Sequence, residues 1–69
     1  MKLINFDGKK LVSLENVKSV SLNQISPRSE YLTIYIYYRD GQYETSPNSY
    51  TKEEAGQWLT KIEKILTAE

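Results

Sequence analysis

The run Tyr31–Tyr43, read Y-L-T-I-Y-I-Y-Y-R-D-G-Q-Y, restricts the possible folds of this chain more than any other stretch. It is filled with β-branched and aromatic residues, which fit a pleated strand. Its even positions Leu32, Ile34 and Ile36, continued by Tyr38, make an aliphatic face, and its odd positions Tyr31, Thr33, Tyr35, Tyr37 and Arg39 make an amphipathic one. Asp40-Gly41 is a hairpin signal. The pattern therefore predicts one strand over Tyr31–Arg39 and its partner over Gln42–Ser46. With Asp40-Gly41 as a two-residue turn, Tyr38 faces Tyr43, Tyr37 faces Glu44 and Ile36 faces Thr45. Tyr43 and Thr45 then join the aliphatic face, while Gln42, Glu44 and Ser46 join the tyrosine face. A one-residue slip would turn Gln42 and Glu44 toward the core, so the two-residue turn is the expected one.

Upstream, Lys2–Phe6 and Lys10–Leu14 flank Asp7-Gly8-Lys9 and read as a first hairpin. Pairing Phe6 with Leu11 would place Ile4, Phe6 and Leu11 on one face. Val17–Asn23 alternates Val20 and Leu22 with Ser19 and Ser21 and reads as a third strand, and Pro27 marks the loop that follows it. Downstream, Thr51-Lys52-Glu53-Glu54 is a capping box, with Tyr50 and Ala55 at the hydrophobic-staple positions. Ala55, Trp58, Leu59, Ile62, Ile65 and Leu66 recur at helical spacing to about Thr67. Gly56 lies off that stripe and weakens the helix by roughly 1 kcal/mol relative to alanine. The expected fold is α+β: an antiparallel meander of four to five strands with one C-terminal amphipathic helix packed on its aliphatic face.

Residues 1–69 are expected to form a single domain, and a small one. Chains of this size hide only about 60% of the surface exposed on unfolding. The sequence has neither Cys nor His, so neither a disulfide nor a zinc site is expected to reinforce it. Self-association is the simplest remaining source of stability. A cysteine-free chain suits a reducing cytoplasm. The opening Met1–Asp7 is broken by Asn5 and Asp7 and does not read as a signal peptide, and no run approaches the length of a membrane span. Nine basic and nine acidic side chains cancel, which leaves no net field to draw the chain onto nucleic acid or an anionic membrane.

With a tryptophan opening the apolar stripe of a helix that directly follows the last strand, Leu14–Leu66 resembles the second half of pleckstrin-homology-like domains. In that family a meander closes with a tryptophan-bearing helix. The chain is shorter than the family's complete barrel requires. Phosphoinositide-binding members carry Lys and Arg on the first hairpin; here only Lys9 and Lys10 stand there, so lipid binding is not implied. The resemblance implies a scaffold for contacts with other proteins. In size and composition the chain is also similar to small proteins of low-GC Gram-positive bacteria and their phages.

No catalytic or cofactor motif accompanies these elements, and neither an enzyme activity nor a bound cofactor or metal is expected. Asp7 and Asp40 sit in turn signals, where aspartate serves the backbone. The candidate interaction face comprises Tyr31, Thr33, Tyr35, Tyr37, Arg39 and Glu44. One reading makes it a protein interface, for a partner or a second copy in a homodimer, because tyrosine buries a large ring at low entropic cost. Another makes it a stacking platform for single-stranded nucleic acid. Zero net charge, and Glu44 opposite Tyr37, disfavour the second. A third treats it as a solvated sheet face on which tyrosine was chosen for strand propensity.

Overall fold

The computed structural model describes residues 2–68. Among these residues six strands, β1 (Leu3–Phe6), β2 (Lys10–Ser13), β3 (Val17–Gln24), β4 (Tyr31–Tyr38), β5 (Tyr43–Thr45) and β6 (Tyr50–Thr51), precede the helix α1 (Lys52–Thr67). All pairings are antiparallel, and the class is α+β as expected. The strands form two sheets. The β1–β2 hairpin stands by itself, and β3 pairs with β4, whose other edge is shared by β5 and the short β6.

Each hairpin departs from its expected register, and each departure has a local cause. In the first, Asp7 (φ 55°) and Gly8 (φ 70°) both take left-handed conformations, and the Lys9 amide donates to the Phe6 carbonyl. Phe6 therefore meets Lys10, not Leu11, and Ile4 meets Val12. This register turns two apolar residues of the second arm inward, Val12 and Leu14, where the expected one offers only Leu11. Val12 and Leu14 are buried, and Leu11 is left 66% exposed.

In the second, Arg39, Asp40 and Gly41 form a three-residue turn. The Gly41 amide donates to the Tyr38 carbonyl, Gly41 takes φ 91°, and the Asp40 carboxylate accepts the Gln42 amide at 2.9 Å. That is a turn closed by a glycine bulge, a geometry Asp-Gly serves as well as the two-residue form. Tyr37 accordingly pairs with Tyr43, Ile36 with Glu44 and Tyr35 with Thr45.

The even face of β4 is the floor of the core. Ile34 and Ile36 are fully buried there with Ile4, Phe6, Val12 and Leu14 of the hairpin and Tyr50, Ala55 and Ile62 from β6 and α1. The hairpin and helix thus share one side of the larger sheet. Thr51 ends β6 and caps α1 at once: its hydroxyl accepts the Glu54 amide at 3.3 Å, and its own amide donates to the Glu54 carboxylate at 3.2 Å. Trp58, half-buried, packs its ring against Phe6 and Tyr50, with centroids 4.9 and 5.7 Å away. Tyr50 also reaches the first turn, donating from its hydroxyl to Asp7 Oδ2 at 2.7 Å, while Asn48 Nδ2 donates to the same oxygen at 2.9 Å. These two hydrogen bonds, that from Tyr50 foremost, hold the Asp7 carboxyl below its ordinary range, and burial together with the Asp7 charge raises the Tyr50 phenol well above its own.

Candidate interaction surface

Strand alternation sends the odd residues of β4 to the side opposite the core. Pairing with β3 adds Ser19, Ser21 and Asn23 to that side, opposite Tyr37, Tyr35 and Thr33. Pairing with β5 adds Tyr43 and Thr45, and pairing with β6 sets Thr51 beside Tyr31. The outcome is a sheet face of tyrosine, serine, threonine and asparagine with no charged residue at any of these paired positions.

Three of its rings gather. Tyr35 and Tyr37, two residues apart on β4, lie with centroids 6.1 Å apart and planes 19° from parallel. Tyr43 closes the triangle at 6.0 Å from each, stacked on Tyr35 and tilted to Tyr37. Such spacings fall within the range in which aromatic pairs attract. Tyr43 is the outer member, 57% exposed, whereas Tyr35 and Tyr37 are half-covered. Tyr31 is 49% exposed at the far end of β4, and the Thr33 hydroxyl lies 3.2 Å from that of Ser49.

The expected site residues thus separate. Tyr35 and Tyr37 stand together, Tyr31 and Thr33 share their face, and two others leave it. Glu44 points to the opposite side, where its carboxylate meets Lys10 Nζ at 2.9 Å. Glu44 escapes burial because β5 is the outer strand and Lys10, not the apolar core, lies beneath it; an inward-pointing carboxylate costs little when paired and half-solvated. Arg39 falls in the turn, its amide donating to the Asn16 carbonyl. Lys18 occupies an irregularity between Val17 and Ser19, without a partner on β4. Tyr43 and Thr45, expected on the aliphatic side, stand on the tyrosine face, and Ser46, expected there, is buried beside Ile34. The clue was the second turn geometry open to Asp40-Gly41, which moves Tyr43 beside Tyr37.

No protein-family model, curated protein or solved structure matches the chain. Among the described residues no helix is long and apolar enough to cross a membrane.

Proposed function

We propose that this protein is a small non-catalytic interaction module, able to self-associate, that docks a partner protein through its tyrosine face. The observation that carries the reading is the triangle of Tyr35, Tyr37 and Tyr43 on a face that has no charged residue at its paired positions and contributes nothing to the core. Tyrosine rings with serine, threonine and asparagine around them match the composition that binding loops of antibodies favour: rigid amphipathic rings for contact, small polar groups for adaptable hydrogen bonds. The same proposal sets the protein in the cytoplasm, in keeping with a chain free of cysteine.

The exposed ring of Tyr43 supports a second reading, a stacking platform for single-stranded nucleic acid. Glu44 no longer opposes it, since that carboxylate lies on the other side. The lack of any Lys or Arg at the paired positions of the face does, because phosphate contacts supply most of the affinity in such sites. A fluorescence-anisotropy titration with a labelled oligonucleotide at low and physiological salt separates the two. The interaction-module reading expects no binding at micromolar protein at either salt. Micromolar or tighter binding that weakens steeply with salt would transfer the face to nucleic acid.

A further inference from the structure

The larger sheet ends at the short β5 and β6 on one side and at the eight-residue β3 on the other, so β3 offers its longest unpaired edge. Ile34 exchanges hydrogen bonds with Ser46, and the Tyr38 amide donates to Gln42, so the even residues of β4 direct their backbone groups toward the β5 side. The odd residues therefore direct theirs toward β3, where they meet Ser19, Ser21 and Asn23. Along β3 the direction must alternate, which aims the N–H and C=O groups of Val20, Leu22 and Gln24 away from the sheet. Among the described residues no strand pairs with that edge.

We infer that the occupant of this edge is a second copy of the same strand, running antiparallel about a two-fold axis at Ser21. The irregularity at Lys18 ends the regular ladder on one side, and Ser21 lies next to the centre of the regular run Ser19–Gln24. With the axis there, Val20 meets Leu22 of the second copy and Leu22 meets its Val20, each through an outward-facing pair of backbone groups. Both side chains are half-buried on the core side, so apolar meets apolar. On the other side Ser19 meets Asn23 and Ser21 meets Ser21, while Lys18 falls opposite Gln24. No like charges oppose one another. Shifting the axis by one residue to Val20 sets Leu22 against Lys18, and shifting it to Leu22 sets Val20 against Gln24; each loses the match. The joined sheet carries both tyrosine triangles on one continuous face. The inference rests on the interaction-module reading but assigns self-association to a strand edge, so the two can fail separately.

The test is sedimentation of the wild-type protein up to about 1 mM, where even a weak contact populates a dimer, together with amide hydrogen exchange at Val20 and Leu22. A dimer is expected, with both amides protected at high concentration and exchanging freely on dilution. Ser21→Lys and Ser21→Glu should each weaken association by about tenfold or more through like charges at the axis, and an equimolar mixture of the two should restore it. Tyr43→Ser should leave the dimer intact. A wild-type protein that stays monomeric at that concentration overturns the inference. So does a dimer whose Val20 and Leu22 amides stay unprotected, or one that Tyr43→Ser dissolves.

Discussion

Lys10 and Glu44 join the two sheets: Nζ of the lysine lies 2.9 Å from the carboxylate, and the same ammonium donates to the Thr45 carbonyl at 3.0 Å. The pair is about 36% and 45% exposed, so solvent screens it. Its effect is on register more than on stability, since it gives a charged residue a place on the core side of β5. Glu44→Gln is expected to cost no more than about 0.5 kcal/mol in a urea titration. A loss above about 2 kcal/mol would mean that the carboxylate is buried in a way its exposure contradicts.

Gly56 lies on the solvent side of α1, and a Cβ built there meets nothing within 4 Å. Gly56→Ala should therefore stabilise the protein by about 1 kcal/mol through helix propensity alone. Thermal unfolding checks it; an unchanged or lowered midpoint would show that the glycine serves a contact.

Asp7, held by the hydrogen bond from Tyr50, and Tyr50, desolvated by burial and bonded to Asp7, give stability two pH limits. Asp7 is held below its ordinary value of 3.8, so its contribution is complete above that value and is lost as pH falls through the lower folded one. Tyr50 is held above its ordinary value of 10.0, so its contribution is complete below that value and fades as pH rises toward the higher folded one. In Tyr50→Phe the Asp7 carboxyl should titrate closer to 3.8, as followed by its carbon chemical shift. An Asp7 titration identical in the two proteins would rule out Tyr50 as the main cause.

Trp58 fills the corner between Phe6 and Tyr50, with Lys61 Nζ 4.5 Å from its ring centre. Trp58→Ala should cost about 3 kcal/mol, near the lower end for a large aromatic because the ring is half-exposed. Lys61→Ala should cost under about 1 kcal/mol. Chemical denaturation of both variants gives the comparison, and similar losses would mean that the cation, not the ring packing, secures the helix.

What the sequence disclosed was set by period. The alternation of Leu32, Ile34 and Ile36 located the core face, the three- and four-residue steps from Ala55 to Leu66 located the helix stripe, and the capping box at Thr51–Glu54 located its start. What it concealed was set by turns. Asp-Gly occurs twice and folds in two ways, with both residues left-handed at Asp7-Gly8 and only the glycine at Asp40-Gly41. One residue of difference in loop length reverses every side chain beyond it, which is why Leu11 and Glu44 were misplaced and Tyr43 was missed. The two-residue β6 carries too short a pattern to be seen at all; it exists because Tyr50 and Thr51 reach Leu32 and Tyr31.

The tyrosine triangle is the centre of the functional proposal, and affinity capture from a cell lysate tests it most directly. The wild type and a Tyr35→Ser/Tyr43→Ser variant are compared after circular dichroism has verified the fold of each. Breaking the ring pairs should cost about 1–2 kcal/mol of stability and leave the fold in place, since neither ring belongs to the core. The expected result is a protein retained by the wild type at physiological salt and lost from the folded variant. Retention of the same proteins by both would contradict the assignment of the tyrosine face as the contact surface.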